Sequence, residues 1–196
     1  MKGIRTALLA IGATLLLGAC AAGRDFVRPS AEELRIGVTT RDEIVKRYGE
    51  PSRTASVVMN GESVSVVNYA YASLAAEAFH PGVTGARSAS FHFWDGKLVG
   101  HQFVSSMKAD ASYFAKDKAA QVKQGMERAQ VLALMGEPSG RMVYPLVEVR
   151  DGEGLVYNYT EVRGFTPHRR VLEVVLDRQG RVVKSTFVAD GDSPLP

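Results

Sequence analysis

The sequence predicts an α+β protein built from two tandem units, each a helix-loop-helix packed on one face of a four-stranded antiparallel sheet. Three observations predict it: an internal repeat, apolar residues at helical spacing inside each copy, and turn pairs that punctuate β-rich runs. The repeat sets Gly37 to Ser52 beside Gly125 to Ser139. Both stretches run from a glycine, through a short amphipathic segment, into Gly-Glu-Pro-Ser at 49–52 and 136–139. Self-similarity of this kind marks a supersecondary unit used twice.

Each element has a local reason. Thr40 followed by Glu43 fits a capping box, in which each side chain satisfies a backbone N–H at a helix start. Ile44, Val45 and Tyr48 then share a helical face, as do Val131, Leu134 and Met135 in the second copy. Gly49 and Gly136 suit the position just past a helix, and Pro51 and Pro138 prevent continuation. The second copy has Glu127 and Arg128 where the first has Thr39 and Thr40, so its cap carries no hydroxyl. Further helices are expected over Ala31–Ile36 and Ala111–Lys123.

Strands follow each repeat. Asn60-Gly61 and Asp95-Gly96 separate β-rich runs and read as type I′ hairpin turns. In the second unit Asp151-Gly152 and the stretch 177–180 separate expected strands at Arg141–Val149, Leu155–Val162, Val171–Leu176 and Arg181–Val188. The first unit is placed at residues 31–108 and the second at 109–190, with a tail at 191–196.

The N-terminus carries a different signal. Lys2 and Arg5 precede an uncharged apolar run from Ala7 to Leu17, and Gly18 and Ala19 lead into Cys20. A basic start, an apolar run of about 7–15 residues and a small-residue cleavage site describe an export signal; a spanning helix needs about 20 apolar residues. Leu17-Gly18-Ala19-Cys20 resembles the lipobox of bacterial lipoproteins. That resemblance implies cleavage after residue 19, acylation of Cys20 with diacylglyceryl and fatty-acyl (palmitate-type) chains, and, with Ala21 next, sorting to the outer membrane. Residues 20–30 are then the lipidated N-terminus and a short linker. Cys20 is the only cysteine, so the mature chain forms no internal disulfide.

Composition narrows the partners. Without residues 1–19 the formal charge falls from +3 to +1, which removes any electrostatic argument for nucleic acid. No H-E-x-x-H, phosphate-binding glycine loop or G-x-S-x-G motif occurs. The reading is of a non-enzyme with no cofactor beyond the covalent lipid on Cys20 and no small-molecule substrate.

The repeat is also nameable. Gly, Thr, a few residues, a hydrophobic position and Gly-x-Pro ahead of a β-meander resemble the SmpA/OmlA domain of the assembly lipoprotein BamE. Two such units in tandem are similar to the β-lactamase inhibitory protein family. The first resemblance implies a lipid-anchored scaffold on the periplasmic face of the outer membrane, with a periplasmic or outer-membrane protein partner such as the β-barrel assembly machinery. The second implies an alternative, an inhibitor or regulatory binder of a periplasmic enzyme.

Strand parity suggests where a partner would bind. With Asp95-Gly96 as a two-residue turn, Phe91, Phe93, Leu98 and Val104 share the face under the helices. His92, Trp94, Val99, His101 and Phe103 then share the other face, which either meets a partner or packs against the second unit. His92 and His101 lack a third ligand, and no metal site is expected. The irregular stretch Ser73–Ser88 is either a binding loop or a tolerated insertion.

Overall fold

The computed structural model describes residues 21–30 and 32–190. The expected export signal and Cys20 lie outside these residues, as does the tail at 191–196. Nine strands and three short helices follow in the order β1 (Ala21–Gly23), α1 (Arg41–Tyr48), β2 (Arg53–Met59), β3 (Glu62–Ser73), β4 (Gly85–Trp94), β5 (Lys97–Ser105), α2 (Lys116–Ala119), α3 (Arg128–Met135), β6 (Gly140–Met142), β7 (Glu153–Arg163), β8 (Thr166–Leu176) and β9 (Val182–Asp190). None of these helices is long and apolar enough to cross a membrane.

The repeated helices form where their caps predict. At α1, the Glu43 backbone N–H donates to Thr40 Oγ1 at 3.3 Å, and the Thr40 N–H donates to the Glu43 carboxylate at 2.7 Å. At α3, Gln130 takes the reciprocal role and accepts from the Glu127 N–H at 2.8 Å. Gly49 and Gly136 end the two helices at φ 82° and 80°, a region that favours glycine. The turns after β2 and β4 have positive φ at both central residues, 50° and 82° at Asn60-Gly61 and 49° and 72° at Asp95-Gly96, as type I′ turns require.

The expected α+β class is overturned. The fold is mostly antiparallel sheet, with helices of only eight, four and eight residues. In place of two four-stranded sheets there is one continuous sheet in the order β1-β3-β4-β5-β6-β7-β8-β9, with β2 also paired to β3. The stretch before α1 is turn, although it still buries Leu34. Residues 111–115 run irregularly because Ser112 is held between strands, its N–H bonding the Ser105 carbonyl at 3.0 Å and its hydroxyl donating to the Asn158 carbonyl at 2.6 Å. Only 116–119 then turn helical.

The seam that joins the two halves is made by glycine. β6 pairs Gly140 with Gln102 on one side and with Val156 on the other. A Cβ on Gly140 would collide with the His101 carbonyl oxygen and lie 2.9 Å from Gln102 Cα. The expected strand Arg141–Val149 is cut short at Met142, and residues 143–150 leave the sheet as a loop.

Both cores lie on the same face of this sheet. Ile44 and Tyr48 of α1 cluster with Val67, Tyr69, Phe91, Phe93, Leu98 and Phe103 of the sheet. Val131 and Met135 of α3 cluster with Leu155, Tyr157, Tyr159, Leu172 and Val174 of the sheet. A buried side chain of this size contributes about 1.5–3 kcal/mol, so two such clusters account for a large share of the favourable free energy. Residues 24–30, expected as a linker, are instead a strap across the first core. Phe26 packs edge-on against Tyr48, Tyr69 and Phe103 at ring distances of 6.2–6.3 Å. The Arg28 guanidinium lies over the Phe103 ring and donates to the Pro138 carbonyl at 3.2 Å.

Candidate functional site

Among the described residues, the opposite face of the sheet carries no helix. Loop 143–150 crosses its lower half. There the Val143 N–H donates to the Val99 carbonyl at 2.9 Å, and Asn60 Nδ2 donates to the Pro145 carbonyl at 2.9 Å. Val64 and Val66 are buried although both point away from the helices. The upper half stays open as a groove of about 670 Å³, with Ala70, Ala72, Ala86, Ser88, Val104 and Val162 among its lining.

Alternation of residue size makes the groove. Along β3, Tyr69 points under α1 while Ala70 and Ala72 face the groove; along β4, Ala89 and Phe91 point under the helix while Ala86 and Ser88 face the groove. Small side chains leave a trough, and their few polar atoms favour an apolar surface or extended backbone over a charged ligand. The run Tyr69-Ala70-Tyr71-Ala72 carried this signal in the sequence, as large and small residues in strict alternation. A second depression beside α1 is lined by charges of both signs, of which Arg47 and Glu33 already pair at 2.9 Å.

The five residues expected on one partner-binding face are split. A bulge breaks the β4–β5 register between His92 and Phe93, so His92 opposes Gly100 while His101 opposes Phe91. Phe103 opposes Ala89 and is a buried part of the core under α1. His101 shares that side, and its imidazole is pushed down to about 4, by burial first and then by the charges of Arg141 and Arg28. His92 and Trp94 do lie on the helix-free face. Burial lowers the His92 pKa, and its Nδ1 has no hydrogen-bond partner among the described residues. Val99 is buried beneath loop 143–150. Trp94 Nε1 donates to the Glu62 carboxylate at 3.2 Å, and its ring meets Tyr144 edge-on at 5.6 Å. His92 and His101 thus point to opposite sides of the sheet and cannot share an ion.

At the upper end, a buried polar clasp joins the two halves. The Glu161 side chain on β7 is fully buried, and its carboxylate lies 2.7 Å from His80 Nδ1, 2.7 Å from the Tyr159 hydroxyl and 2.9 Å from Arg163 Nε. Burial alone would raise its pKa; hydrogen bonds from Tyr159 and His80 and the nearby Arg163 charge outweigh that and hold it below the ordinary carboxylate value. The same burial and carboxylate push the Tyr159 hydroxyl upward. The clasp pins loop 74–84 to the second half, a bridge pairs Val83 with Arg163, and Phe79 stacks on Tyr113 at 4.9 Å. Sequence reading missed it because His80 and Glu161 lie 81 residues apart.

Residues 111–186 match the family model described as the outer membrane protein assembly factor BamE domain. That segment carries a BamE-like domain, and it falls inside the second unit read from the sequence. No curated protein matches the chain. A solved Streptococcus mutans structure described as a "putative beta-lactamase inhibitor protein" is similar at 11% identity, over 80% of this chain and 91% of that one, with a TM-score of 0.43.

Proposed function

We propose that the protein is a lipoprotein anchored through Cys20 to the periplasmic face of the outer membrane, where it serves as a protein-binding scaffold in outer membrane protein assembly or envelope maintenance. The BamE-like domain at 111–186 carries this reading. The lipobox resemblance at residues 17–20 supplies the anchor, and the groove over Ala70, Ala86 and Val104 supplies the surface. The chain works as two units, 31–108 and 109–190, fused through the β5–β6–β7 seam. Of the residues first read as partner-binding, His92 and Trp94 lie on the helix-free face but outside the groove, Trp94 packed against Tyr144 of loop 143–150. Phe103 and His101 serve the core instead.

Crosslinking the native lipoprotein in cells, with mass spectrometry of what co-purifies, tests the proposal. Recovery of β-barrel assembly components that is lost in a Cys20→Ser variant supports it. Ser88→Arg, which fills the groove from an exposed position without touching either core, should weaken that recovery. Recovery of one soluble periplasmic enzyme, unaffected by loss of the anchor, would replace the scaffold with an inhibitor.

A further inference from the structure

Leu74, Phe79, Val162 and Phe165 form one group of exposed apolar residues at one end of the sheet; Val57, Val58 and Met59 form another at the opposite end. Leu74 follows the last residue of β3 and is 71% exposed. Phe165, in the β7–β8 turn, is fully exposed, and Val162 beside it is 43% exposed. Phe79 lies in the same loop as Leu74 and is half-exposed. The Val83–Arg163 bridge brings that loop against the β7–β8 turn, so these side chains line a common rim.

Strand β1 begins at this same rim. Ala21, which directly follows Cys20 in the sequence, pairs with Ser73, one residue before Leu74. Charges around the rim are matched within the protein: Lys108 with Glu77 at 2.6 Å, Arg169 with Asp190 at 3.1 Å, and Arg163 with Glu161. An attachment here would be apolar and insensitive to salt, unlike one held by a basic patch.

We infer that this rim inserts into the surface of the lipid bilayer, with Leu74 and Phe165 as its tips, so that the sheet stands end-on with the Asp95-Gly96 turn farthest from the membrane. The inference rests on the lipidation of Cys20 proposed above. Interfacial apolar groups enter about 5–10 Å, enough for two exposed tips but too little for the buried aromatic residues behind them.

The chain's single tryptophan provides a built-in control, because Trp94 sits beside that far turn. The native lipoprotein and its Phe165→Trp variant are placed in phosphatidylethanolamine–phosphatidylglycerol vesicles containing brominated lipid, and the emission added by residue 165 is taken by difference. Phe165 is fully exposed among the described residues, so the exchange leaves the fold alone. Emission from residue 165 should be blue-shifted and quenched about twofold or more, consistent with interfacial depth, while Trp94 emission is unchanged, at low and high salt alike. A residue 165 that stays in water, or a Trp94 quenched to the same degree, would overturn the end-on arrangement. Intact mass of the same preparation reports on Cys20 separately. If the thiol is free, the lipoprotein reading fails, and the rim is tested with the same protein coupled through Cys20 to maleimide-bearing lipid.

Discussion

The clasp at Glu161 allows the sharpest quantitative test of how the two halves are held together. Glu161→Gln keeps the volume of the side chain, removes its charge, and turns an acceptor into an NH2 group facing donors. The wild-type carboxylate accepts from Tyr159, His80 and Arg163 within 2.9 Å while fully buried. Removing one member of a buried pair costs about 3–5 kcal/mol, since the remaining charge is left uncompensated. The glutamine retains one acceptor, which places the variant near the lower end, about 3 kcal/mol. For a chain of this size each kcal/mol moves Tm by about 2–4 °C, so the midpoint should fall by about 6–12 °C at pH 7. Thermal unfolding followed by circular dichroism reads this directly. The pH dependence adds a second check. A carboxylate whose folded pKa lies below its unfolded value stabilises the fold above the unfolded pKa, and loses that contribution as pH falls through the folded one. The gap between wild type and variant should therefore be full at pH 6–7 and narrow progressively below about pH 4.5. A fall in Tm below about 2 °C, or a gap that does not narrow in acid, would refute the clasp as a stabilising element.

Other predictions concern the strap, the seam and a buried histidine. Phe26→Ala removes three edge-on aromatic contacts and should cost about 2 kcal/mol, with hydrogen exchange accelerating at residues 21–23 and in the facing part of β3. Equal protection in the two proteins would show that the strap does not hold β1 in place. Gly140→Ala places a methyl against the His101 carbonyl and should lower the urea midpoint by the equivalent of about 1–3 kcal/mol; an unchanged midpoint would mean that the seam yields. His101 is held neutral in the fold with its pKa near 4, while the unfolded chain charges near 6.5. Between these values the unfolded state binds more protons, so stability falls as pH drops from about 6.5 to 4, by roughly 3 kcal/mol. His101→Gln should flatten that part of the urea-midpoint profile, and an identical slope would exclude His101 as its source.

What could be read from the sequence was local. The capping box at Thr40 and Glu43, the glycines ending α1 and α3, and the two type I′ turns each depend on residues within a few positions of one another. What could not be read was settled at a distance. Ala111–Lys123 carries helical spacing, yet Ser112 is claimed by Ser105 and Asn158 on neighbouring strands. The bulge at His92/Phe93 reverses side-chain parity along β5, and so strict alternation from the Asp95-Gly96 turn assigned His101 and Phe103 to the wrong side. The seam was hidden because a three-residue strand built around a glycine has almost no β signature, even though it turns two expected sheets into one.

That seam also bears on the order in which the chain assembles. Strands β3, β4 and β5 pair with sequence neighbours, as do β7, β8 and β9. The join between the halves instead requires Gly100 to find Met142 and Gln102 to find Gly140. Closing such a separation carries an entropic cost before any contact repays it, and non-local pairing is correspondingly slow. Each meander can form on its own schedule, and the three residues of β6 then act as the final stitch. Until that stitch closes, the edge of β5 stands open to pairing with any extended segment it meets.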